Sequence, residues 1–328
     1  MNGREEMEMF YKDKIEDILN KSPELRGFFN SLVIEPSSAY EYIRIVRNFM
    51  LFIKKDIVNI GYDDFVSYLN SIKVTKNRNN TTSSYQIVAY SALKKFCHYC
   101  YTSEKIKRDY MKDIERPKAV QSQNTIDKRK NGYLSSKELI GYVENVRKNN
   151  VQGQKRHIAE KWKLRDWCII QLFLTTGMRC GALRNLDISD VDLKENKIYV
   201  TEKGNKYREL SIADGLEKCL QDWIRERNEI IGDKDCAALF VSSHRERMAA
   251  KSIARVVEKY ARGIEGKHIS PHKLRATFAT LLYENTKDIM VVKELLNHSN
   301  VTTTQIYIRD NNDASHIAAN IMSKMTGI

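Results

Sequence analysis

Leu295-Leu296-Asn297-His298-Ser299-Asn300-Val301-Thr302-Thr303-Thr304-Gln305-Ile306-Tyr307 is the stretch on which the reading of this chain turns. The apolar run Val291, Val292, Leu295 and Leu296 has helical spacing, His298 follows it directly, and Tyr307 comes nine residues later on what reads as another short helix. A phenol with an ordinary pKa of about 10 is a poor nucleophile near neutrality unless its proton is removed and its anion is stabilised. The chain has 17 tyrosines, so the residue type alone marks nothing. The frame around Tyr307 singles it out, and it directs the search to the basic groups that would support it.

Working outward, Ser270-Pro271-His272-Lys273-Leu274-Arg275 reads as a helix opening, with Ser270 as cap and Pro271 at the first helical position. His272 and Arg275 are then neighbours on one face, with Leu274, Phe278, Leu281 and Leu282 as the adjacent core stripe, so the polar pair is expected to face a cleft. Further back, Thr176-Gly177-Met178-Arg179 breaks one helix and starts another, which puts Arg179 near a helix start. Between these motifs, Lys197–Thr201 and Lys206–Ile212 flank Gly204-Asn205 as a β-hairpin with Lys203 at its turn and Lys206 as a rival lysine. A phosphodiester gathers charge on its non-bridging oxygens as a nucleophile adds, which calls for fixed guanidiniums beside it and an ammonium to protonate the leaving oxygen.

Composition narrows the partner. The 328 residues suggest two domains, and 55 Lys and Arg against 42 acids give a net charge of +13. Such a balance favours a polyanion. No run of about 18 apolar residues occurs, and the start lacks an apolar signal region, so no membrane and a cytoplasmic location are expected. Of 6 cysteines only Cys97 and Cys100 form a Cys-x-x-Cys pair. Without a second pair at zinc spacing, they are expected to be buried reduced thiols, and no metal site is assigned.

Residues from about 8 to 115 carry helical periodicity throughout. One helix is expected from Ser37 or Ser38 to Ile53 with Tyr42, Ile45, Val46, Phe49 and Phe52 inward, a second from Tyr62 to Ile72, and a third from about Ser83 to Cys100. Their aromatics are expected in the core. A basic, polar linker fills 117–132, dividing an N-terminal domain, 1–116, from a C-terminal one, 133–328. In the latter, Ser135 to Glu138 reads as a capping box, and a helix at about 160–175 should bury Leu164, Trp167, Cys168, Gln171 and Leu172 on one face before Gly177 stops it.

In order and spacing, the motifs resemble the tyrosine recombinases of the phage integrase family across about residues 134–310, and more weakly the family's helical core-binding domain across 28–115. The Leu295–Tyr307 stretch is similar to that family's Leu-Leu-Gly-His-Ser signature ending in Thr-Thr-x-x-Tyr. The resemblance implies a mainly α fold with a small β-hairpin or sheet, two domains closing as a C-shaped clamp on double-stranded DNA at a specific site, and a homotetramer on paired sites. It implies Arg179, Lys203, His272, Arg275 and His298 as catalytic residues with Tyr307 as nucleophile. It also implies a 3′-phosphotyrosyl intermediate and no cofactor. Two positions depart from the pattern: Ala182 where Glu or Asp is usual, and Ala276 where His is usual. The short segment before the core-binding region suggests no arm-binding domain. Ala314–Met325 reads as an amphipathic tail for a neighbouring protomer or for its own domain. Two other readings stay open: relaxation of the type IB topoisomerase kind, and a non-catalytic DNA-binding regulator.

Overall fold

The computed structural model describes residues 3–76, 84–117, 132–151, 160–202, 206–261, 264 and 267–297. Residues 4–124 form one compact unit, and residues 125–328 together with 1–3 form the other. Most of the expected linker lies outside the described residues. Among the described residues, no helix is long and apolar enough to cross a membrane.

The first unit is helical: α1 (Gly3–Lys21), α2 (Arg26–Asn30), α3 (Pro36–Ile53), α4 (Tyr62–Lys76) and α5 (Ser84–Thr102). Helix α3 starts earlier than the serines suggested. Pro36 takes the first helical position with Glu35 as cap, because its fixed φ suits a helix start and its missing N–H would be unpaired there anyway. Phe52, expected inward, is 48% exposed, and Ile43 is fully buried instead. Helix α1 is part of this unit's core, since Ile15, Ile18 and Leu19 pack with Phe28, Phe49, Phe65 and Phe96. The rings interlock, with Phe49 stacked on Phe65 at 4.9 Å and Phe28 edge-on to Phe96 at 5.3 Å. Cys97 and Cys100 lie in the same core, where burial pushes each thiol up to about 12. That makes both poor thiolates.

The second unit holds α6 (Ser136–Arg147), α7 (Lys163–Thr176), α8 (Cys180–Asn185), β1 (Val191–Asp192), β2 (Lys197–Glu202), β3 (Lys206–Ser211), α9 (Leu216–Ile231), α10 (Ala250–Lys259), α11 (Pro271–Thr286) and α12 (Ile289–Leu295). The mainly helical class with a small sheet is the one the sequence led us to expect. Ser135 and Glu138 close a capping box at α6. Helix α7 departs from the single stripe expected of it. It is central, packed by α6, α9, α10 and α11, so Arg165, Asp166, Ile169, Ile170 and Phe173 are buried along with Cys168 and Leu172, whereas Leu164 and Trp167 are only half-buried. A helix packed by four others buries residues around most of its circumference and shows no single apolar stripe. Its fully buried Asp166 is neutralised by Arg165 and Lys259 and accepts a hydrogen bond from Tyr260 at 3.2 Å.

The hairpin pairs Lys197 with Ser211 through to Glu202 with Lys206. A third strand, β1, pairs antiparallel with β2, and at two residues it is too short to show alternation in sequence. Ile198, Val200 and Leu210 are buried on the inner face. On the outer face Tyr199 stacks on Tyr207 at 5.8 Å.

Candidate active site

Three described candidates, Arg179, His272 and Arg275, are brought together by the ends of α7, α8, α11 and α12. Helix α7 ends because Gly177 takes φ 60°, a left-handed conformation that glycine adopts without penalty. A side chain there would also collide with its neighbour, since a Cβ would stand 2.3 Å from Cδ1 of Phe278 on α11. Gly177→Ala is therefore expected to lower unfolding free energy by about 2–4 kcal/mol in urea titration, combining left-handed strain with overpacking. After the fully buried turn residue Met178, Arg179 is the cap residue of α8, half-buried in extended backbone, and Leu183 N–H donates to its carbonyl at 3.1 Å.

Helix α11 begins as its sequence indicates, with the Ser270 hydroxyl accepting from Lys273 N–H and Pro271 next. It also takes a contact that the sequence did not reveal: Leu134 N–H donates to the Thr277 hydroxyl at 2.8 Å across 143 residues. The two members of the His-x-x-Arg pair differ in exposure. His272 is exposed, whereas Arg275 is 3% exposed and points between two chain segments. Its guanidinium donates to the carbonyl of Gly177, at the end of α7, and at 2.6 Å to the carbonyl of Leu296, at the end of α12. The predicted core stripe shifts in the same way: Ala276, Thr277, Ala279 and Thr280 are buried with Leu274, while Phe278, Leu281 and Leu282 are half-buried.

Helix α12 is capped by Asp288, whose carboxylate accepts from Met290 N–H at 2.7 Å, and it packs Val292 and Leu296 on Ala279. It ends with Asn297 at φ 49°. Lys203, His298 and Tyr307 lie outside the described residues, as does the expected 314–325 helix. Their described neighbours are the last hairpin pair, Glu202 and Lys206, and the α12 end at Leu296 and Asn297. The unusual residues Ala182 and Ala276 are each 7% exposed, packed within α8 and α11. Sequence reasoning also missed Arg247, 4% exposed in its side chain, which donates to the carbonyls of Arg184 and Leu186 and pairs with Asp187 at the end of α8. Spacing alone does not mark an arginine that serves backbone carbonyls.

The electrostatics favour a neutral imidazole. Although His272 is exposed, the protein around it desolvates the imidazole enough to lower its pKa, and the charges of Arg275 and then Arg179 lower it further. His272 is thus less protonated than an ordinary histidine at the same pH. Removing one of these charges in Arg179→Gln should move the His272 titration, followed by NMR of the ring, to higher pH. A midpoint that stays put or moves down would refute this account of the shift. Among the described residues, no group of three or more His, Cys, Asp or Glu side chains is arranged to hold a metal ion.

Residues 144–314 match the phage integrase family. The chain is 34% identical to a tyrosine recombinase XerC of Caldanaerobacter subterraneus subsp. tengcongensis over 76% of its own length and 65% of the relative's. It is 30% identical to a tyrosine recombinase XerS of Streptococcus thermophilus, covering 88% of this chain and 85% of that one. In fold it is similar to the XerH site-specific recombinase bound to its palindromic difH substrate, with a TM-score of 0.65 at 22% identity over 87% of this chain and 80% of that one. The fold is thus that of this family of proteins, and the family match lies within the second unit. The chain belongs to the phage integrase family, the tyrosine recombinases.

Proposed function

We propose that the chain is a site-specific DNA recombinase that cuts and rejoins strands through a 3′-phosphotyrosyl intermediate. The observation that carries this reading is the pair of hydrogen bonds from Arg275 to the carbonyls of Gly177 and Leu296. One buried guanidinium joins the Thr-Gly-Met-Arg turn, the His-x-x-Arg helix and the segment leading to His298, and it does so across 98 and 21 residues of sequence.

On this reading Arg179 holds the non-bridging oxygens of the scissile phosphate, and Arg275 adds fixed positive charge beneath them. The Tyr307 oxygen attacks phosphorus, and its proton passes to a neutral histidine, His272 or His298. The bond to the 5′ oxygen breaks and Lys203 protonates that oxygen, leaving a 5′-hydroxyl. The ester keeps the energy of the broken bond, so a 5′-hydroxyl from a second duplex can attack it and release Tyr307 without a nucleotide or metal cofactor. Four protomers on paired sites would make two such exchanges through a Holliday junction. Residues 1–116 and 133–328 would act as two DNA-contacting domains, and binding should weaken steeply with salt as neutralised phosphates release counterions.

The test incubates the protein with nicked duplexes tiled across the DNA flanking its own gene and resolves the products on a denaturing gel. A covalent adduct confined to particular duplexes supports recombination at a site. Relaxation of any supercoiled plasmid would favour the type IB topoisomerase reading, and retention of DNA without an adduct would favour a non-catalytic regulator.

A further inference from the structure

We infer that Arg208 is a positioning residue for strand cleavage, tying the β2–β3 hairpin, whose strands flank Lys203 in sequence, to the end of α12, which precedes His298 in sequence. This rests on the function proposed above for Lys203 and His298. The observation is a hydrogen bond at 2.8 Å from the Arg208 guanidinium to the carbonyl of Leu295, across 87 residues of sequence.

Arg208 pairs with Val200 in the hairpin, so it shares the inner sheet face with Ile198, Val200 and Leu210, all buried. A charged group on an apolar face is costly unless a strong acceptor receives it. Here the acceptor is a helix end. Helix α12 has only seven residues, too few to be stable alone, and its last carbonyls have no partner within the helix. Two consecutive ones, at Leu295 and Leu296, each take an arginine from a different element: Arg208 on β3 and Arg275 on α11. The partial negative charge of a helix C-terminus favours this arrangement. Arg275 therefore fixes the α12 end relative to the Arg179 turn, and Arg208 fixes the same end relative to the hairpin. The Tyr199–Tyr207 stack on the opposite face stiffens the hairpin at the level of Arg208. Without Arg208 the hairpin and the α12 end could shift relative to each other, and a misplacement of about 1 Å between groups that act on one phosphate can cost on the order of 100-fold in rate.

The experiment compares the parent chain with Arg208→Gln and Arg208→Lys. At saturating nicked duplex, single-turnover adduct formation by Arg208→Gln should be about 10–100-fold slower, while DNA affinity changes little. Arg208→Lys can still place a positive donor at the Leu295 carbonyl and should recover most of the rate. Amide hydrogen exchange in residues 289–297 should be about tenfold faster in Arg208→Gln, as expected for the loss of one charge-assisted hydrogen bond. An unchanged cleavage rate overturns the inference, as does a matching loss of binding or a failure of the lysine variant to rescue. If the parent chain itself forms no adduct on any duplex, the functional reading fails. The exchange measurement then decides the structural tie alone: unchanged protection of 289–297 in Arg208→Gln would overturn it, and loss of protection would uphold it.

Discussion

Tyr307→Phe is expected to abolish the covalent protein–DNA adduct while DNA retention changes little. The substitution removes one oxygen and keeps the ring, so packing is preserved and only the nucleophile is lost. Loss of a covalent nucleophile typically costs on the order of 10⁶ in turnover, and the residual activity would be undetectable on a gel. The chain offers 17 tyrosines, so the control matters. Tyr283, half-buried beside α12, should become Phe without loss of adduct. Mass spectrometry of the digested adduct should place the nucleotide on the peptide containing Tyr307. An adduct that survives Tyr307→Phe would remove Tyr307 from the mechanism.

Arg275→Lys should be nearly as damaging to catalysis as Arg275→Ala, and this distinguishes a shaped guanidinium from a mere positive charge. The forked guanidinium serves the Gly177 and Leu296 carbonyls together, whereas an ammonium is a point donor that cannot hold both in the same geometry. A buried carbonyl left without its donor costs about 1–3 kcal/mol. Arg275→Ala, which strands both, should therefore reduce unfolding free energy by about 2–5 kcal/mol, and Arg275→Lys by roughly half as much. Single-turnover cleavage measured well below the melting temperature should fall by at least about 100-fold in both, because the Arg179 turn and the α12 end lose their common anchor. Parent-like stability and cleavage in Arg275→Lys would show that the fork is not needed.

Much of the architecture could be read from local pattern. The Ser135 capping box, the Ser270-Pro271 helix opening, the Gly177 stop and the 197–211 hairpin all depend on residues within a few positions of one another, and each appears in the structure. Errors arose where distant packing overrode the local signal. Helix α7 is enclosed by four others and has no single apolar stripe, β1 is too short to alternate, and Phe52 is left outside while Ile43 goes in.

The candidate site divides along the same line. The sequence by itself determined which residues are candidates, because helix caps, turn glycines and hairpin spacing are short-range consequences of backbone sterics and hydrogen bonding. It also determined the basic charge that favours a polyanionic partner. Only the tertiary structure decided that His272 is exposed and Arg275 buried, that two arginines hold consecutive carbonyls at the end of α12, and that desolvation and then the charges of Arg275 and Arg179 lower the His272 pKa. Those facts depend on backbone carbonyls and buried faces brought together from positions 21, 87 and 98 residues apart. A carbonyl is present at every residue, so no pattern of side chains announces which one a guanidinium will meet.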